Sequence, residues 1–352
     1  MQQLCIVSEA AAKAAEIHRH LAGVFETCCL DPSEIREIKP PRHLLFDIDF
    51  ANNGRVLKIK EWLKHKPKDG KVVFAIDKSS HLQMIQARAL GATEILFRPI
   101  ERTALIKTLL GDFGSLWGAP GDALKTSPGV GQAIDGLRNV FESACLGTPV
   151  DVAAINSSGE AVVRRMEERG IGSWIDTVRK HHSQTYQHCL IVTGLTVAFA
   201  QHLGLSRSDQ LRLSFGAMLH DVGKARIPVA ILEKPSSLTG DEKEMMSRHP
   251  EYGLEALKTS PGLKSELRDV VANHHEYLDG SGYPHGLSGG EISDLVRIMT
   301  ICDVFGALLE RRAYKPPLGA DVAYQILVDM GAKLDKDLVR EFGFAKSMRL
   351  GA

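Results

Sequence analysis

The sequence has no excess of charge of either sign: Lys plus Arg is 43 and Asp plus Glu is 43. A chain whose affinity rests on neutralising many backbone phosphates needs a basic surplus, so nucleic-acid polymers are not the expected partner. Long apolar runs are missing too. The longest, such as Leu190 to Ala200, fall well short of the roughly 20 residues that span a bilayer, so no membrane insertion is expected. The six cysteines (Cys5, Cys28, Cys29, Cys145, Cys189 and Cys302) show no CxxC spacing, and nothing resembles a signal peptide. Free thiols in a reduced, cytoplasmic interior are the expectation. No internal repeat or low-complexity tract is present. What remains is ordinary globular material, 44% hydrophobic and 24% charged over 352 residues, enough for packed cores and for two domains.

Histidine departs from this evenness. Of 14, nine (His181, His182, His188, His202, His220, His249, His274, His275 and His285) fall in one stretch of the C-terminal half. That half is where chemistry is sought.

The first hundred residues alternate short apolar runs with amphipathic ones, the pattern of an α/β layer. Leu4 to Val7, Val24 to Leu30, His43 to Ile48, Val72 to Ile76 and Glu94 to Phe97 read as strands. Helices are predicted over Glu9 to Ala22, Arg55 to His65 and Ser79 to Leu90, with Ser79 or Ser80 as N-cap. Such an order makes a doubly wound parallel sheet. The stretch ALGATEILFRPI (Ala89 to Ile100) resembles the end of a response-regulator receiver domain. The resemblance implies two acids after strand one for a magnesium ion, an acceptor Asp after strand three and a Lys before the proline. Here those places fall to Ser8 and Glu9, to Asp47 or Asp49, and to Arg98, with Phe50 and Ala51 where Met-Pro is usual. A receiver-like domain that has lost parts of its site is expected to serve docking or dimerisation rather than phosphorylation.

From Gly111 to Gly131 the chain is rich in Gly, Pro and Ser and lacks any period, so it reads as a linker. Gln132 to Leu146 and Asp151 to Arg169 carry helical spacing and read either as connector helices or as part of the body that follows. The expected organisation is a degenerate receiver-like α/β domain over 1–112, linker and connector helices over 113–174, and an all-α helical bundle over 175–352. Within the bundle, His188 to His202 and Leu211 to His220 are read as helices of 3.6 period.

Adjacent His220 and Asp221 follow an apolar helix. Neighbours on a helix diverge by about 100°, so both serve one centre only if it is large or holds two metals. Their companions are His188, His249, the pair His274 and His275, and Asp303. Five imidazoles and two carboxylates on an apolar helical scaffold are costly to bury unless a metal satisfies them. Neutral imidazole with carboxylate suits Fe, Mn, Co, Ni or Zn. A carboxylate between two histidine sets is the natural bridge for two ions, and Asp221 is the candidate.

LHDVGKARIPVAILEKPSSLTGDEKEMMSRHPEYG, followed by HHEYLDGSGYPHGLSG, resembles the HD-GYP family, a branch of the HD-domain metal phosphohydrolases that hydrolyses cyclic di-GMP in bacteria. The likeness runs from about His181 to Phe342. It implies metal ligation by His188, His220, Asp221, His249, His274, His275 and Asp303, with Asp221 and Lys224 at the catalytic centre. It places Lys224, Tyr283 of the loop DGSGYP, Arg312 and Lys315 against the substrate. Gln184 stands where some members carry a metal-binding Glu, so two ions, Fe or Mn, are expected rather than three. Gly306, Leu309 and Ala313 depart from the usual pattern after Asp303 and bear on pocket shape.

The expected activity is a binuclear cyclic-dinucleotide phosphodiesterase giving linear pGpG, and GMP if the linear product rebinds, in second-messenger signalling. The alternative is a receptor that binds a cyclic dinucleotide, or a protein, without turnover. A homodimer is expected, with a signalling partner at the receiver-like domain.

Overall fold

The computed structural model of the chain describes all residues except 1–2, 23, 36–38, 52, 68–69, 111–128, 181–183, 233, 311–316 and 349–352. The chain divides into two compact units, Met1–Leu116 and Trp117–Ala352.

In the first unit β1 (Gln3–Ser8), β2 (Glu26–Leu30), β3 (His43–Asp47), β4 (Val72–Asp77) and β5 (Glu94–Arg98) form one sheet of order β2-β1-β3-β4-β5. Every neighbouring pair is parallel. Strands β1, β3 and β4 are buried nearly throughout, whereas β2 and β5 are only partly covered. That is why the three central strands read as continuous apolar runs: helices cover both faces of a parallel sheet. The intervening helices are α1 (Ala11–Leu21), α2 (Asn53–Leu63), α3 (His81–Ala89) and α4 (Arg102–Leu110). Of the two serines proposed to cap α3, Ser80 does so, its hydroxyl accepting from the Gln83 N–H at 3.3 Å.

Register sets Ser8 beside Asp47 and Asp77 beside Arg98, so four polar side chains gather at the carboxyl end of the sheet. Arg98 donates from Nε to Asp47 at 2.8 Å and from Nη1 to Asp77 at 3.2 Å. Of the two candidate acceptors, Asp47 is the buried one held by Arg98, while Asp49 is exposed and accepts the Ala51 N–H. Glu9 pairs with Arg55. Asp47, Asp77 and Glu9 are thus already engaged with arginines.

The second unit is helical: α5 (Val130–Leu146), α6 (Val152–Val178), α7 (Gln184–His202), α8 (Arg207–Leu219), α9 (Val229–Leu232), α10 (Gly240–Ser247), α11 (His249–Leu257), α12 (Ser265–Asn273), α13 (Asp294–Leu309), α14 (Ala320–Asp329) and α15 (Lys336–Glu341). Helix α6 kinks at Gly170, whose φ of 68° lies outside the helical region. Between Tyr186 and Ala200 of α7, all side chains but Gln187 and Ala198 are buried. The helix read over His188 to His202 is present, and it is apolar on all sides for a physical reason: it is enclosed by α6, α8 and α13.

Candidate metal centre

Five elements bring the proposed ligands together. His188 lies within α7 and Asp303 within α13, while His220 follows α8, His249 opens α11 and His274 follows α12. Helix α8 ends at His220, and Asp221 leaves the helical path with φ −99° and ψ 9°. The expected divergence of these neighbours is thereby removed, and His220 Nε2 lies 3.3 Å from Asp221 Oδ2. Gly223 keeps the next turn close to α11, since a Cβ there would fall 1.9 Å from the His249 carbonyl oxygen. The turn of LHDVGK and the helix start at His249 are thus locked in one arrangement.

Asp221 divides its two oxygens. Oδ2 faces His188 and His220, each at 3.3 Å, and Oδ1 faces His249 at 3.2 Å and His274 at 3.9 Å. Asp303 spans a second gap, with Oδ1 2.9 Å from His188 Nε2 and Oδ2 3.5 Å from His275 Nδ1. Two three-residue sets with metal-ligand spacing result: His188, His220 and Asp303, and His249, His274 and His275. Asp221 lies between them.

The tautomers follow from the outer contacts. Nδ1 of His220 meets the Ala217 carbonyl at 2.7 Å, that of His249 the Met246 carbonyl at 2.8 Å, and that of His274 the Val271 carbonyl at 3.1 Å. Only a protonated Nδ1 donates to a carbonyl, so in the neutral ring Nε2 presents a lone pair to the centre. Burial pushes His249 down to about 3 and His275 to about 4, and holds His274 well below the ordinary imidazole value. Against the same burial, Lys224 and the histidines keep Asp221 well below the carboxylate range. His188 differs: burial opposes its charge, but the carboxylates of Glu310 and Asp303 raise it to about 10.

These residues fit divalent cations. The buried Asp221 Oδ1 lacks a hydrogen-bond partner among the described residues, and His249 and His274 offer lone pairs, not protons, to one another. Neutral imidazoles with shared carboxylates are the set that first-row transition metals satisfy.

A cavity of about 250 Å³ opens on this centre, bounded by His188, His249, His275, Lys224, Tyr283 and Glu310 at one end and reaching Lys234, Ser236 and Met246. Lys224 Nζ lies 2.5 Å from Asp221 Oδ2, and the carboxylate raises its pKa against the effect of burial. The Tyr283 ring stacks on His275 with centroids 4.7 Å apart. Its loop is held by Glu276, a buried carboxylate accepting the N–H groups of His285, Gly286 and Leu287 at 2.6, 3.1 and 3.0 Å. Gly282 is required where the loop recrosses the chain, because a Cβ would lie 2.5 Å from Glu276 Cα.

All seven proposed ligands converge, and Lys224 and Tyr283 join them at the cavity. Arg312 and Lys315 lie outside the described residues. Sequence reasoning missed Glu310, Lys234 and the thiol of Cys189, which groups with His220 and Asp221. None belongs to a recognisable spacing. Glu276 stood inside HHEYLDGSGYP, where a buried acid among turn residues was its signal.

A family model described as an HD domain matches residues 172–338. The chain is 31% identical over 206 residues to a cyclic di-GMP phosphodiesterase of Pseudomonas aeruginosa, covering 58% of this chain and 50% of that protein. It is 42% identical over 136 residues to the cyclic di-GMP phosphodiesterase response regulator RpfG of Xanthomonas campestris, covering 38% and 36%. To the 3'3'-cGAMP-specific phosphodiesterase 2 of Vibrio cholerae it is 36% identical over 166 residues, covering 47% and 32%. The matched part spans half or less of the length of these relatives. Residues 172–338, which hold the histidines and carboxylates gathered around Asp221, match the HD-domain model and are similar in sequence to these cyclic-dinucleotide phosphodiesterases.

Proposed function

We propose that the chain is a binuclear metal-dependent phosphodiesterase that opens a cyclic dinucleotide, cyclic di-GMP first among them, to the linear pGpG and onward to GMP. The observation that carries this reading is the division of Asp221 between two histidine pairs, with Oδ1 lacking a hydrogen-bond partner among the described residues. The names of the related proteins support the substrate class.

His188, His220 and Asp303 would hold one ion, His249, His274 and His275 the other, with Asp221 shared. Iron or manganese suits this set of neutral nitrogens and carboxylates. Bound there, a pair of divalent ions supplies Lewis acidity to phosphoryl oxygens and acidifies water. The chain's own groups do the rest. Lys224, kept cationic beside Asp221, offsets phosphate charge at the cavity end nearest the metal ligands. Tyr283, fixed against His275, forms a wall that orients the substrate, and Arg312 and Lys315 would grip the second phosphate. The cavity of about 250 Å³ is smaller than the roughly 300–1,000 Å³ that enclose a drug-sized ligand.

The test is turnover of cyclic di-GMP by protein loaded separately with Mn and Fe(II), with bound metal counted. Linear product with about two ions per chain supports the proposal. Full metal and tight binding without product would make the domain a receptor, and product from a mixed cyclic dinucleotide alone would shift the substrate. We further propose a signalling role in a bacterial cytoplasm, as a homodimer with a protein partner at the receiver-like unit. Sedimentation of the purified chain tests the dimer.

A further inference from the structure

We propose that Glu310 is a positioning residue for His188, fixing its ring so that the ion on the His188 side is held more tightly than a His188 anchored on a backbone carbonyl would hold it. This rests on the reading of the cluster as a metal centre. His188 is the exception among the histidines facing Asp221. The other three anchor Nδ1 on a backbone carbonyl, whereas His188 Nδ1 meets the carboxylate of Glu310.

The arrangement is built by one helix. Asp303 and Glu310 are seven residues apart, about two helical turns, so both face the same side of α13. Asp303 approaches His188 at Nε2 and Glu310 approaches it at Nδ1, placing the imidazole between two carboxylates. Helix α13 ends at Leu309, whose carbonyl accepts from Arg179 at 3.2 Å, and Glu310 turns out of the helix with ψ 144°. The Glu310 side chain is 9% exposed, so its charge is poorly screened. A carboxylate on the far nitrogen orients a ligating imidazole and raises its basicity more than a neutral carbonyl does, and its loss typically costs 10–100-fold in metal affinity. Glu310 also lines the cavity, where its charge would oppose an incoming phosphate, so it earns its place through His188 rather than by touching substrate.

The test is a Mn(II) titration of the metal-stripped full chain, followed by electron paramagnetic resonance. Two sites are expected in the unaltered protein. Glu310→Gln, which keeps an acceptor for Nδ1 but removes the charge, should weaken one site about 10–100-fold and leave the other unchanged. Glu310→Ala, which removes both, should weaken the same site at least as much. On a His188→Ala background, Glu310→Gln should cause no further loss, since the two act as one unit. In turnover, Glu310→Gln should lose kcat at limiting Mn(II) and regain it at excess, with KM unchanged. Equal affinity in Glu310→Gln and the unaltered chain, or an equal loss without His188, overturns the proposal. Absence of any Mn(II) binding in the unaltered chain overturns the metal-centre reading along with it.

Discussion

His249 Nε2 stands 3.1 Å from His274 Nε2, and each ring gives its Nδ1 to a backbone carbonyl. Two neutral imidazoles so anchored direct lone pairs at each other, an arrangement that a shared cation relieves and a hydrogen bond does not. His188 and His220 stand 3.3 Å apart but are not such a pair, because the carboxylates of Asp303 and Glu310 favour a protonated His188. The centre is therefore organised for ions, and its consequences are measurable.

Asp221 faces both histidine sets, so its loss should affect both proposed ions at once. Asp221→Ala should remove both and lower turnover at least about 100-fold, the scale of losing one group that stabilises developing charge. Metal analysis by plasma mass spectrometry checks this, and full occupancy in the variant would refute the bridging role.

Gly223 lies against the backbone of α11, where no side chain can yield. Gly223→Ala should cost about 3 kcal/mol, the upper end of overpacking, and should weaken the His249 set more than the His188 set. Urea unfolding combined with metal titration reads both. An unchanged midpoint would mean the backbone shifts freely there.

The pH response of the chelated chain follows from the buried histidines. His249 and His275 titrate at about 3 and about 4 in the folded state and near the ordinary 6.5 when unfolded. Between those values the unfolded chain binds more protons, so stability falls as pH drops from about 6.5 towards 4. His188 has the opposite sign: raised to about 10, it adds stability that is complete below about 6.5 and is lost as pH rises towards 10. Thermal melting of the metal-stripped chain should therefore be highest near neutrality, and a melting temperature that climbs steadily from pH 7 to 4 would contradict these shifts.

In the α/β unit, Asp47 is buried and Arg98 is its cation. Arg98→Ala should destabilise this unit by about 3–5 kcal/mol, since it leaves an uncompensated buried charge. Pairing it with Asp47→Asn should recover most of the loss. Differential scanning calorimetry distinguishes the two outcomes, and additive losses would show that the pair is not coupled.

Much of this was legible in the sequence because the signals are local. Strand β3 was read as His43 to Ile48 and spans His43–Asp47, and α5 was read as Gln132 to Leu146 and spans Val130–Leu146. The helix read over His188 to His202 is part of α7, whereas its enclosure by three neighbours is not encoded in its own period. Glu310 escaped notice because a lone acid at a helix end has no spacing to betray it.

By itself the sequence determined the five strands of the first unit, the helical character of the second and the seven candidate donors, because periodicity and the runs LHDVGK and HHEYLDGSGYP are properties of neighbouring residues. Only the tertiary structure decided which nitrogen of each histidine faces inward, how Asp221 shares its oxygens, and that Glu310 reaches His188 across 122 residues of chain. Those are matters of how helices cross and where they end, and they depend on packing between segments far apart in the chain.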